Sequence, residues 1–144
     1  MQRITHTPTE TEEAGAALAR TLRAGDVVAL YGGLGAGKTA FVRGMARGLG
    51  LADAEISSPT FALVHEYGGH PPLVHFDMYR VTEWDDLLTT GFYDYLDAGA
   101  ILAVEWSEHI EAALPPHTHR VRIEPLSETD RLIIEETAPE RGER

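Results

Sequence analysis

A chain of 144 residues with 43% hydrophobic content can bury one core and calls for no second domain, so residues 1–144 read as a single domain. Twenty-three acids against twelve Lys and Arg give a formal charge of −11, which argues against an unaided grip on tRNA or DNA through a basic face. With no cysteine there are no disulfides and no thiol chemistry; no apolar run approaches the ~18 residues of a membrane span, and Met1 to Glu13 lacks a signal-peptide core, so the expected location is cytoplasmic, off the membrane.

In chain order, Thr9-Glu10-Thr11-Glu12 reads as a capping box that opens a helix from about Glu10 to Arg23, with Ala14, Leu18 and Leu22 on one face. Val27 to Tyr31 is continuously apolar, as a strand buried on both faces of a parallel sheet must be. Past a glycine-rich loop, Phe41, Met45 and Leu49 recur at helical spacing, and Gly48-Leu49-Gly50 ends that helix. Leu51 to Glu55 is a connector, followed by a Pro59-centred turn rich in hydroxyls. Ala62 to Tyr67 and Leu73 to Asp77 predict an antiparallel hairpin around Gly68 to Pro72.

Further on, Trp84, Leu87 and Leu88 predict a helix from Glu83 to Thr90, with a turn or short helix around Phe92 to Leu96. Ala100 to Val104 is the second fully apolar strand, and Ser107 is placed to cap a helix running to Ala113. Arg120 to Glu124 and Arg131 to Glu135 alternate as a last antiparallel pair, and 137–144 reads as a frayed tail. The expected fold is α/β: a P-loop NTPase-like three-layer sandwich whose mixed central sheet joins a parallel core to antiparallel hairpin strands.

The segment Gly32-Gly33-Leu34-Gly35-Ala36-Gly37-Lys38-Thr39 matches G-x-x-x-x-G-K-[ST] at every specified position, between the first buried strand and a helix. Glycines allow the tight turn and turn successive N–H groups towards one point, in front of the positive end of the helix dipole. The backbone from Gly33 through Leu34, Gly35, Ala36, Gly37, Lys38 and Thr39 to Ala40 is thus the expected cradle of a triphosphate. Lys38, the single lysine beside eleven arginines, adds a compact charge for the β- and γ-phosphates, and the Thr39 hydroxyl is a ligand for Mg²⁺.

Such a loop works with a carboxylate at the end of a neighbouring strand. Two acids qualify. Glu105 follows the stronger apolar run and is favoured as the acid facing Mg²⁺, with Asp77 supporting the metal or orienting water; either could instead merely cap a helix. Thr60 could sense the γ-phosphate as a switch, or sit in a plain turn. Arg80 could neutralise transferred charge or be a solvated surface arginine. The histidines read as ordinary strand and loop residues. An Asn-Lys-x-Asp guanine element cannot exist in a chain without Asn and with no second lysine, so ATP and ADP are favoured.

Taken together, Leu30 to Thr39, Ser58-Pro59-Thr60-Phe61, His75-Phe76-Asp77-Met78-Tyr79-Arg80 and Val104-Glu105-Trp106 resemble the TsaE family, formerly called YjeE, over about Thr9 to Glu135. The resemblance implies a small bacterial P-loop ATPase of the machinery that makes threonylcarbamoyladenosine beside the tRNA anticodon. It implies work with TsaD and TsaB, with tRNA met only indirectly. By the same resemblance Lys38 serves phosphate, Thr39 and Glu105 serve Mg²⁺, and Asp77 belongs to the catalytic centre. Thr60 falls in a switch-like loop, Trp106 lies near the active site and Thr11 lies near the base. Gly33 departs from the Asp or Glu of many members. A small-molecule P-loop kinase and a nucleotide sensor that does not hydrolyse ATP are the competing classes.

Overall fold

Two strands buried along their whole length, Val27–Tyr31 and Ile101–Glu105, lie parallel and adjacent in the sheet, as two uninterrupted apolar runs require. The computed structural model describes residues 1–33, 35–51 and 64–136. In chain order these form β1 (Gln2–Thr5), α1 (Pro8–Ala19), β2 (Val27–Tyr31), α2 (Lys38–Gly48), β3 (Val64–Gly69), β4 (Pro72–Asp77), α3 (Trp84–Thr89), α4 (Phe92–Asp97), β5 (Ile101–Glu105), a 3₁₀ segment (Ser107–Ala113), β6 (His119–Pro125) and β7 (Arg131–Glu136).

The seven strands run β1-β7-β6-β2-β5-β4-β3 across one sheet. Strands β6, β2, β5 and β4 are mutually parallel, and the antiparallel pairs β3/β4, β6/β7 and β1/β7 lie towards the edges. This is the mixed α/β sheet that the sequence predicts, with both expected hairpins present.

Side-chain alternation divides the core into two layers. Val28, Leu30, Leu73, Ile101, Ala103, Val121 and Ile123 meet Phe41, Val42 and Met45 of α2 and Ala14 of α1. On the opposite face Val27, Val74, Phe76, Leu102 and Val104 meet Leu87, Phe92 and Ile110. Phe41, Met45 and Leu30 are fully buried, each stabilising the fold by about 1.5–3 kcal/mol. The α1–α2 contact is close enough to demand glycine: a Cβ on Gly44 would stand 1.8 Å from the Glu12 carbonyl oxygen. The same alternation decides the chemistry. Residues 101, 103 and 105 of β5 and 73, 75 and 77 of β4 share the face covered by α2, so both strand-end acids point to that side.

Three local expectations are corrected. Helix α1 starts at Pro8, not Glu10, because Thr7 is the N-cap: its side chain accepts from the Glu10 N–H at 3.1 Å, Pro8 takes the first turn where no N–H is needed, and the Glu10 carboxylate accepts from His6 N at 2.7 Å. Glu12, read as the reciprocal capping acid, instead pairs with Arg43 and Arg47 of α2. Ser107 does not cap an α-helix: its hydroxyl donates to the Val104 carbonyl at 2.7 Å, the residue before it is left-handed, and the segment to Ala113 is 3₁₀ with a break at Ile110. Finally, β1 was not expected at all. Among the described residues no helix is long and apolar enough to cross a membrane.

Candidate nucleotide and metal site

The loop after β2 enters α2 through Gly37, whose φ of 109° is a conformation that an L side chain strains to adopt. Among the described residues no side chain caps that helix, in contrast to α1, so its first-turn N–H groups are open to an anion. Ala36 is buried and Gly33 is exposed, with none of the described residues within 4 Å of where its Cβ would stand. A glycine at this position therefore leaves no hole among the described residues. Thr39 and Ala40 follow on the first turn, both partly buried. Leu34 lies outside the described residues, as do Ser58-Pro59-Thr60-Phe61 and with them the candidate switch, Thr60.

Lys38 runs inward rather than into solvent. It is 5% exposed, its Nζ lies 3.9 Å from Glu105 Oε1 and 4.3 Å from the centroid of the Trp106 ring, and it has no hydrogen-bond partner among the described residues. A buried ammonium with donors unspent is costly, which is the condition of a group waiting for an anionic partner. Glu105 is held from its other side. His75 Nε2 lies 2.6 Å from Glu105 Oε2, and since an ionised carboxylate only accepts, the imidazole donates. His75 is wholly buried and its Nδ1 is without a hydrogen-bond partner among the described residues. One oxygen of Glu105 is thus occupied by His75 and the other faces Lys38 and the loop.

The neighbouring strand ends complete this wall. Asp77 of β4 and Leu30 of β2 are the register partners of Glu105, so the two acids sit side by side at the carboxyl ends of parallel strands, where α/β sheets bind ligands. Asp77 is only half-buried, and its Oδ1 accepts from the Tyr79 N–H at 2.8 Å, fixing the chain as it leaves the strand. Trp106 adopts φ 60°, ψ 40°, an uncommon conformation for a bulky residue that turns the chain sharply after Glu105. Arg80 is exposed.

A second group of residues surrounds the other side of the loop. Thr11 is buried, hydrogen-bonded hydroxyl to hydroxyl with Thr5 at 2.8 Å, and its methyl would lie 3.9 Å from a Cβ on Gly37. It lines a cavity of about 280 Å³ with His6, Thr7, Pro8, Gly37, Ala40, Glu128, Thr129 and Arg131. Arg131 Nη2 donates to the Gly35 carbonyl at 3.3 Å, tying the β6–β7 turn to the glycine-rich loop. Across the rim, His6 and Asp130 pair at 2.9 Å; this hydrogen bond first, and the Asp130 charge second, raise the imidazole pKa, while the same hydrogen bond and then that of Thr129 hold the Asp130 carboxyl below its usual value.

These positions fall within a known sequence family. A family model described as threonylcarbamoyl adenosine biosynthesis protein TsaE matches residues 5–133, which include every residue of the site. The chain belongs to the TsaE family. It is similar to the tRNA threonylcarbamoyladenosine biosynthesis protein TsaE of Treponema pallidum, 35% identical over 133 residues that span 92% of this chain and 98% of that one. The protein of the same name from Bacillus subtilis is 37% identical over 127 residues, 88% of this chain and 78% of the relative. A crystal structure of Bacillus subtilis YdiB superposes with a TM-score of 0.78 at 32% identity, covering 96% of this chain and 86% of that chain. The family is one of tRNA threonylcarbamoyladenosine biosynthesis.

Within this TsaE-family chain, sequence reasoning brought Lys38, Thr39, Asp77, Glu105 and Thr11 to the loop. It missed His75, His6 and Arg131. For His75 a signal existed, since it shares a strand face with Asp77. For His6 and Arg131 none did, because the cavity joins segments more than 100 residues apart.

Proposed function

We propose that this protein binds ATP with Mg²⁺ at the Gly33–Ala40 loop and hydrolyses it as the ATPase subunit that acts on a TsaD–TsaB complex during tRNA threonylcarbamoylation. The observation that carries the reading is Lys38: a buried ammonium short of donors' partners, at the mouth of an uncapped helix, beside a carboxylate. Triphosphate supplies the missing acceptors. The N–H groups of the loop and of the first turn of α2 bind the phosphates, and Lys38 turns towards the β- and γ-oxygens, where charge grows during transfer. The adenine lies in the cavity lined by Thr11, Gly37 and Ala40. The composition supports adenine over guanine, since the guanine-reading element is missing.

The donor set also fits a hard cation: a threonine hydroxyl and one carboxylate at a strand end, with substrate phosphate oxygens to complete the shell. Thr39 and Glu105 would hold Mg²⁺, which supplies charge neutralisation on the phosphates. His75 keeps one oxygen of Glu105 engaged and fixes the direction of the other. Asp77, the register neighbour of Glu105, orients the attacking water and accepts its proton. A net charge of −11 supports tRNA being held by the partner complex and not by this chain, in the cytoplasm where both reside.

Phosphate release from ATP, alone and with TsaD–TsaB, tests the proposal. Slow release alone, stimulation by the complex, and a fall of about 10²- to 10³-fold in Lys38→Ala are the expected results. ADP formation that requires a small-molecule acceptor and ignores TsaD–TsaB would mark a kinase and overturn it.

A further inference from the structure

The acidic excess of this chain is concentrated. Between Met78 and Leu114 there are eight acids and a single cation, Arg80. Glu83, Asp85, Asp94, Asp97 and Glu108 are all exposed on this stretch, which covers one face of the sheet with α3, α4 and the 3₁₀ segment. The same face exposes large apolar side chains. Trp84 is 60% exposed and Leu88 49%, four residues apart and so on one side of α3, and Tyr79 is 57% exposed. Beside them a cleft of about 160 Å³ opens between α3 and the 3₁₀ segment, walled by Val81, Leu87, Ile110 and Ala113, with Trp84 and His109 at its lips.

That cleft is joined to the catalytic wall by rings. His109 stacks on Tyr79 at 5.9 Å, Tyr79 meets the Trp106 ring edge to face at 4.8 Å, and Trp106 lies 4.3 Å from Lys38 Nζ. Lys38 has no hydrogen-bond partner among the described residues, so the indole is one of the few groups that hold it.

We infer that this face docks a basic protein surface bearing an apolar side chain that fills the α3–3₁₀ cleft, and that docking acts on ATP hydrolysis through Tyr79, Trp106 and Lys38. The inference rests on the ATPase reading given above and assigns that site its partner surface and its control. Charge selects the class of partner: the patch repels RNA and anionic lipid alike and attracts Lys and Arg. Apolar residues rimmed by charge supply the anchor, with an exposed Trp as the residue type that dominates such contacts. An occupant that presses on His109 and Tyr79 shifts the indole of Trp106. Lys38 then loses its cation–π partner and is freed towards phosphate.

The experiment measures the affinity of the TsaD–TsaB complex for wild type, Trp84→Ala, Asp85→Lys and Tyr79→Ala, together with ATP hydrolysis with and without the complex. The two tryptophans, Trp84 and Trp106, are labelled as 5-fluorotryptophan, so that their ¹⁹F resonances report on each separately with an unlabelled partner. Trp84→Ala and Asp85→Lys should each weaken binding about tenfold or more, with hydrolysis in the absence of the complex unchanged. In wild type, binding should move the Trp106 resonance as well as that of Trp84. Tyr79→Ala should bind within about threefold of wild type but lose most of the stimulation. If wild type binds and both Trp84→Ala and Asp85→Lys bind equally well, the surface is wrong while the ATPase reading survives. A stationary Trp106 resonance, or full stimulation of Tyr79→Ala, overturns the coupling. Retention of bare tRNA by wild type and its loss in Trp84→Ala overturns the class of partner. No binding of TsaD–TsaB by wild type overturns the partnership and this inference with it.

Discussion

Glu105 and Asp130 each hold a histidine, His75 at 2.6 Å and His6 at 2.9 Å, and the two pairs stand on opposite sides of the same glycine-rich loop. The first is inside the sheet, with side chains 0% and 5% exposed; the second is at the rim, with 61% and 34%. In the interior a carboxylate has given up its hydration, so every donor aimed at it matters and a lost one is not replaced by water. At the rim water and salt stand ready to substitute, and the same contact geometry has little effect. Position in the fold, more than chemical type, decides what each pair does. The inner one fixes the direction of a buried strand-end carboxylate and the outer one links two turns across the mouth of a cavity.

The largest effect expected from this contrast is on Glu105. Glu105→Leu leaves a buried imidazole and a buried ammonium without their common partner and should destabilise the protein by about 3–5 kcal/mol in urea unfolding. Glu105→Gln keeps an oxygen to accept from His75, and it should lose far less stability while abolishing hydrolysis. Equal, small losses in both variants would show that water reaches the pair, and the contrast with the rim would disappear.

A smaller effect belongs to His75. Replacing it by Leu removes a donor from a buried carboxylate and should cost about 1–3 kcal/mol. His75→Gln offers an amide N–H at similar reach and should recover part of the loss. If His75 positions Glu105 for the metal, hydrolysis in His75→Leu should need more Mg²⁺ for half-maximal rate, and His75→Gln should move that requirement back. An unchanged Mg²⁺ requirement would leave His75 as a packing residue.

What was legible in the sequence follows the range over which each feature is determined. The strand, loop and helix from Val27 to Leu49 are specified locally, by an apolar run, glycines at set positions and a 3.6-residue stripe, and they form where expected. The hairpin of β3 and β4 was legible for the same reason. At α1 two overlapping Thr-x-x-Glu frames compete, and Pro8, which suits the first helical turn, settles the earlier one. Edge strand β1 has four residues and is stabilised by β7, whose partners are some 130 positions away, so no local pattern could announce it. The 3₁₀ segment depends on the left-handed turn at Trp106, which no propensity predicts. Asp77 and Glu105 could be singled out because both end apolar runs that read as strands, and the β4–β5 register sets them side by side. Their histidine was missed because its meaning depends on the β4–β5 register, which places residue 75 against the approach to 105.

The smallest effect lies at the rim, and its pH dependence has a definite shape. His6 has a raised folded pKa, from the hydrogen bond and charge of Asp130, so the stability it contributes is fully present below its unfolded value of about 6.5 and is lost as pH rises through the folded one. Asp130 has a lowered folded pKa, from the His6 and Thr129 hydrogen bonds, so its contribution is present above its unfolded value of about 3.9 and is lost as pH falls through the folded one. The two conditions overlap between roughly pH 4 and 6.5, and only there is the pair fully formed. The difference in melting temperature between wild type and Asp130→Asn should therefore be greatest between roughly pH 4 and 6.5, shrink as pH rises through the folded His6 value and shrink again with added salt, while the His6 ring protons titrate at lower pH in the variant. His6 is exposed and Asp130 is partly so, so even the maximum should fall well below the loss in Glu105→Leu. A difference that persists undiminished at alkaline pH would assign the role of Asp130 to its hydrogen bond with Thr129 and dissolve the pairing as a source of stability.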